Sequence, residues 1–113
     1  MPVQSGNLAV SDVAFAQAVA AAVRTLPGVA ALSPGRSAEV ATYGPHEKVQ
    51  GVIVRTVDGA LDVDVHVCAH YASSLDFNEL AARIRAASVQ ALEFTGAARV
   101  GRIDVVFDDV RVE

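Results

Sequence analysis

The sequence predicts an α+β domain, a two-layer sandwich with two helices packed on one face of a three- to four-stranded mixed sheet. Three observations carry this expectation. Apolar residues recur at helical spacing over 11–25 and 74–94, and they alternate with polar ones between Gly51 and His70 and again near the C-terminus. Asp58-Gly59 stands between two alternating arms, a strong two-residue hairpin signal. The long second arm, the second helical stretch and the final strand also follow in the order strand, helix, strand. That order implies a right-handed crossover between parallel strands.

The elements follow in turn. "NLAV" is a short extended lead. Ser11 occupies an N-cap position, and Asp12 in the first turn complements the helix dipole. Val13, Ala16, Val19, Ala20, Val23 and Leu26 form the stripe of a helix over 11–25, which ends because Pro27 disfavours a helical Leu26. "LSPGRS" reads as loop, and "AEVATY" and "VQGVIVRTV" read as extended segments on either side of the turn "GPHEK". Gly51–Val57 and Leu61–His70 pair antiparallel through Asp58-Gly59, with Leu61–His70 central in the sheet. Ser73 with Asp76 resembles a capping box for the second helix. Phe77, Leu80, Ile84, Ala87 and Ala91 make its stripe, Glu79 and Arg83 form an i,i+4 pair, and Gly96 stops it. Val100, Ile103, Val105 and Phe107 carry the last strand, whose alternation falters at Asp108-Asp109. With no repeat or linker, residues 1–113 read as a single domain.

Bulk composition excludes several classes. The chain is 52% hydrophobic and 19% charged, which is neither disordered nor fibrous. Nine Lys plus Arg against thirteen Asp plus Glu argue against nucleic acid or an anionic lipid surface as main partner. A single cysteine forms no internal disulfide, which fits a reducing cytoplasm. The start "MPVQSGNLAV" lacks the basic residues and long apolar run of a secretory signal. The run "VAFAQAVAAAV" is too short for a bilayer, so no direct membrane insertion is expected.

The chemistry concentrates in "LDVDVHVCAH". Leu61, Val63, Val65, Val67 and Ala69 alternate with Asp62, Asp64, His66, Cys68 and His70, so two carboxylates, two imidazoles and the only thiol share one strand face. His66, Cys68 and His70 are weak metal candidates, since residues two apart on one face lie ~6–7 Å apart and both types bind zinc or copper. A closed site needs about four converging ligands, and His46 stands in a loop without a partner cysteine. A half-exposed antiparallel strand produces the same alternation as a solvated face. A Cys68–His nucleophile pair is weaker, because neighbours on one strand face lie parallel, and Cys68 reads as a small half-buried residue. Asp104, Asp108 and Asp109 match no calcium or magnesium loop and read as charged edge protection. Arg24, Arg36, Arg55, Arg83, Arg85, Arg99, Arg102 and Arg111 are scattered, with no Gly-x-x-Gly clamp or paired sheet aromatics for RNA. No catalytic residue, cofactor or metal is expected.

The order of pieces resembles the alkaline shock protein and general stress protein family of Gram-positive bacteria, the envelope stress response proteins. "GNLAVSDVAFAQAVAAAVRTLPGV" resembles its opening, "GVIV" with "LDVDVHVCAHY" its central strand pair, and "VQALEFTGAARVGRIDVVFDDV" its closing helix, Thr-Gly stop and valine-rich strand. Departures are Tyr71-Ala72 where many relatives have Tyr-Gly, a shorter segment 33–50, and missing charged tails. The resemblance implies a cytoplasmic, non-enzymatic, stress-associated protein; some members lie peripheral to the membrane by docking to an anchored partner, and some self-associate. The leading expectation is therefore a scaffold or adaptor acting through protein contacts. The alternatives are a metal or small-molecule binding module on the His66/Cys68/His70 face, and an RNA-binding domain. An uncovered sheet face, with outward valines from either Val52/Val54 or Val106/Val110, adds an expectation of self-association through the sheet side.

Overall fold

The computed structural model describes residues 10–112; the extended lead read in "NLAV" lies outside them except for Val10. The chain order is α1 (Asp12–Arg24), β1 (Val29–Leu32), β2 (Ala41–Tyr43), β3 (Lys48–Gln50), β4 (Val52–Val57), β5 (Ala60–His70), α2 (Phe77–Thr95) and β6 (Val100–Arg111). This is the expected α+β arrangement.

The eleven-residue β5 organises the sheet. Its first half pairs antiparallel with β4, and Asp58 (φ 51) and Gly59 (φ 81) form the turn between them. Both are left-handed, as a two-residue hairpin of matching twist requires. Its second half pairs antiparallel with β1, from Val29↔Ala69 to Leu32↔Val67. Along the whole of β5, β6 runs parallel. Since β6 takes one edge of β5, β4 and β1 share the other. They meet at His66, whose N–H donates to the Gly51 carbonyl and whose carbonyl accepts from Ser33 N–H, each at 2.8 Å.

Two strand expectations change. The segment "VQGVIVRTV" is not one strand, because Gly51 at φ 88 bends the chain from β3 into β4. A Cβ there would lie 2.7 Å from Leu32 Cβ, so a close approach as well as the backbone demands glycine. β3 instead pairs with β2 in a separate two-stranded sheet. Thr42 on β2 then guards β4: its hydroxyl donates to the Val52 carbonyl at 2.7 Å and accepts from Val54 N–H at 3.3 Å. The other change is β1 itself, a strand in "VAAL" ahead of the predicted loop.

Both helices lie on one face of the main sheet and pack against each other. α1 behaves as expected, with Ser11 Oγ accepting from Ala14 N–H. The cap of α2 does not. Asp76, not Ser73, closes its start, because the Asp76 carboxylate accepts from both Asn78 and Glu79 N–H while residues 72–75 form a turn. Its buried stripe is Leu80, Ala81, Ile84, Ser88 and Leu92 rather than a line through Ala87 and Ala91. Ser88 can be wholly buried because its hydroxyl donates to the Ile84 carbonyl at 2.7 Å. The Glu79–Arg83 pair forms at 3.4 Å, and left-handed Gly96 ends the helix.

The core is a layer of small side chains. Val52, Val63, Val65, Val67, Val19 and Val23 are sealed beneath Ile84 and Leu92. Each fully buried Val contributes only ~1.5–3 kcal/mol, so stability is spread over many positions.

Candidate functional site

β5 turns Val63, Val65 and Val67 into the core, so Asp62, Asp64, His66, Cys68 and His70 belong to the opposite, outer face. Cross-strand neighbours share that face: Ile53 and Arg55 from β4, Asp104 and Val106 from β6. Val52 and Val54 are buried and Val106 faces outward at 37% exposure, but the expected Val106/Val110 set does not hold together, because the register shift beyond Val67 sets Val110 opposite core-facing Ala69.

The outer face has two unlike ends. At the β4 end, charges pair in the open. Arg55 of β4 binds Asp64 of β5 at 3.1 Å, and Arg102 binds Asp104 along β6 at 3.1 Å. Asp62 accepts from Arg102 N–H at 2.8 Å. The apolar Val57, 44% exposed, lies beside them.

At the β1 end the face is covered, and a wholly solvated face is not what the structure holds. His66 Nδ1 lies 2.9 Å from the Asp108 carboxylate, with 19% and 8% of the two side chains exposed. Cys68 is buried. The chain leaving β1 covers it: Ser33, Pro34, Gly35 and Arg36 line the same ~360 Å³ hollow as Cys68, Asp108, Asp109 and Arg111. Burial would raise the Asp108 carboxyl, but hydrogen bonds from Ser33 and His66 and the nearby Arg36 charge outweigh it and hold the group below the usual carboxylate range.

The sequence candidates disperse accordingly. His66 turns to Asp108 rather than to Cys68. His70 lines a different hollow, with Ser74, Asp76 and Glu79. His46 is exposed in the β2–β3 turn. Asp104, Asp108 and Asp109 diverge, since Asp104 pairs with Arg102, the Asp108 side chain is largely covered and turns to His66, and Asp109 accepts from Val110 N–H. Reading Asp108 as exposed edge protection is therefore corrected. Among the described residues no three His, Cys, Asp or Glu groups converge as a metal ion requires. Nor does the Ser33/Asp108/His66 set match a hydrolase triad. There the imidazole stands between hydroxyl and carboxylate, whereas here the carboxylate stands between hydroxyl and imidazole.

Sequence reasoning named Asp108 but missed its pairing with His66, and missed Ser33 altogether. The available signal was the faltering alternation at Asp108-Asp109. It is a bulge: Val67 pairs with Phe107 and Cys68 with Asp109, which leaves Asp108 as the extra residue.

What these features define is a class, an α+β domain with one sheet face under two helices and the other holding paired charges, scattered apolar side chains and a covered end. The particular family follows from the sequence as a whole. The chain belongs to the alkaline shock protein 23 family, described as having a cell envelope-related function, whose sequence model matches residues 1–112. No curated protein and no solved structure matches the chain. No helix among the described residues is long and apolar enough to cross a membrane.

Proposed function

We propose that this envelope-related domain is a non-enzymatic scaffold or adaptor that works through protein–protein contacts, and that one of its partners is a second copy of itself. The observation that carries the reading is the asymmetry of the sheet. Its inner face is sealed by α1 and α2, while its outer face presents Ile53, Val57 and Val106 among charges that already pair within the chain. Covering such a face strands few charges, so it costs less than covering the same groups unpaired. Beside it runs β6, twelve residues long and paired on one edge only among the described residues. Of that free edge, the Ile103 carbonyl accepts from Arg85 Nε at 3.2 Å; the remaining edge groups suit pairing with another chain. On this reading the domain works in the cytoplasm, peripheral to the membrane through an anchored protein partner, without nucleic acid or cofactor.

Light scattering coupled to size exclusion tests the reading. A mass that rises above the monomer with concentration, and falls back in Val106→Glu, supports it. A monomer mass constant to high micromolar concentration removes the second copy as partner. The anchored partner is tested separately, by whether the tagged chain in its native host co-sediments with membranes and loses this in Val106→Glu.

A further inference from the structure

The segment that follows β1 is more than a connection. Ser33 continues the β1 edge of β5, where its N–H donates to the His66 carbonyl at 2.8 Å. Asp108 belongs to β6, on the opposite edge of β5. The two positions are separated by β5 itself, roughly two strand spacings of ~4.8 Å. Yet Ser33 and Asp108 line one hollow, and the Ser33 hydroxyl is among the groups that hold the Asp108 carboxyl below its ordinary range. The contact therefore bridges the outer face of β5, over His66 and Cys68.

The rest of the segment is shaped for that crossing. Ser33 Oγ also accepts from Gly35 N–H at 3.0 Å, and the Pro34 carbonyl accepts from Val40 N–H at 2.9 Å. Gly35 has φ 98, and a Cβ there would meet the Ala38 carbonyl oxygen at 2.0 Å, so the tight return depends on glycine. Beyond these bonds the Glu39 carboxylate accepts from Lys48 Nζ at 2.8 Å and from the Tyr43 hydroxyl, while Pro34, Arg36, Ser37 and Ala38 are exposed. Segments with few buried contacts open at low free-energy cost. Toward the far edge the segment meets Asp108 in the hollow that Ser33 and Arg36 also line, and both groups lower the Asp108 carboxyl.

We propose that residues 33–39 form a strap across the outer sheet face, fastened by Asp108 to Ser33 and Arg36, and that its local release uncovers Cys68 and the β1 end of that face. The groups around the fastening are His66 and Cys68 from β5, Asp108, Asp109 and Arg111 from β6, and Ser33 and Arg36 from the strap. Release lengthens the surface open to a protein partner from the Val106 region toward His70. That consequence rests on the function proposed above, whereas the strap itself does not.

Cys68 is the reporter. Its labelling by a neutral maleimide is followed in native buffer on the full chain, at fixed pH and over zero to low urea. The wild type is expected to label slowly. Asp108→Asn and Ser33→Ala are expected to label at least tenfold faster, with a rate nearly independent of urea, the mark of local opening. Ile84→Val, which weakens the core away from the strap, serves as comparison and is expected to label with a steep urea dependence. Rates within twofold of wild type in both strap variants overturn the proposal. So does a steep urea dependence in them that matches Ile84→Val, because exposure would then come from global unfolding. A monomeric protein by light scattering would count against the self-association reading while leaving the labelling result intact.

Discussion

Asp64 and Val65 are neighbours in sequence and opposites in circumstance. Val65 has no exposed surface and touches only core. Asp64 is part-exposed and rests on an ion pair with Arg55. The same contrast repeats along β5, so one strand obeys two rules: the inner face is governed by volume and dryness, the outer face by pairing. Inner positions should be intolerant of any polar change, whereas outer positions should tolerate change wherever the partner group can reach water.

The sharpest way to break that contrast is to move the charge by one residue. Val65→Asp places a carboxyl where no water or cation can reach it, and burial of an unpaired charge is among the most costly single changes. The expected loss is about 4 kcal/mol or more, which for a marginally stable domain means a largely unfolded chain. Circular dichroism with urea titration reads it. A folded, cooperative Val65→Asp would show that the inner face is not as dry as its packing implies.

Gly51→Ala comes next. It tests the junction where β4 and β1 meet on β5 rather than either face. The cost combines a left-handed backbone for alanine with a contact of 2.7 Å to Leu32 Cβ. A loss of roughly 2–3 kcal/mol in the urea midpoint analysis is expected. A loss under about 0.5 kcal/mol would mean the β3–β4 bend can move.

How much of this was legible differs between the faces as well. The inner face was written locally: the valine alternation of β5, the Asp58-Gly59 turn and the α1 stripe each lie within one short window. What escaped was non-local. "VAAL" is too short and uniform to announce β1, which forms only because β5 offers it an edge. Gly51 looks like any strand glycine until Leu32 is brought beside it. Ser88 joins the α2 stripe only because a helical carbonyl satisfies its hydroxyl. At the candidate site His66 was visible as a candidate, but its partner lies 42 residues away, and no pattern of neighbours encodes that pairing. The alternation error at Asp108 was the one local trace.

Asp108→Asn tests the outer face at its covered end, where the pairing rule is strongest. The carboxyl is held below its ordinary value in the folded chain. Its contribution is therefore present above the unfolded carboxylate value, about 4, and is lost as pH falls through the lower folded value. Near pH 7 the substitution is expected to cost about 1.5–2 kcal/mol, the lower part of the range for a hydrogen bond to a charged group. The gap between wild type and variant should narrow as the pH drops below about 4. Urea midpoints at pH 7 and pH 3 measure it. A gap that is the same at both would mean the stabilisation does not depend on the carboxylate charge.

The smallest expected effect lies at the open end of the same face. Arg55 and Asp64 meet at 3.1 Å, but the Arg55 side chain is 48% exposed and the Asp64 side chain 23%. Near water their attraction is on the order of 1–4 kcal/mol before costs. Ordering a long arginine side chain and desolvating part of both groups offsets most of it, and measured exposed pairs contribute about 0.2–1 kcal/mol. Arg55→Ala should therefore lower stability by no more than about 0.5–1 kcal/mol. Asp64 is not stranded by the loss, since its exposed oxygens can turn to solvent. Salt separates this pair from the covered one: because screening acts on exposed charges, raising the ionic strength should shrink the Arg55→Ala effect and leave most of the Asp108→Asn effect in place. A double-mutant cycle of Arg55→Ala with Asp64→Ala, at low and at high salt, reads the coupling directly. A coupling above about 2 kcal/mol that resists salt would exceed what an exposed pair supports. The open end would then be as dry as the strapped end, and the division of the outer face into two ends would fail.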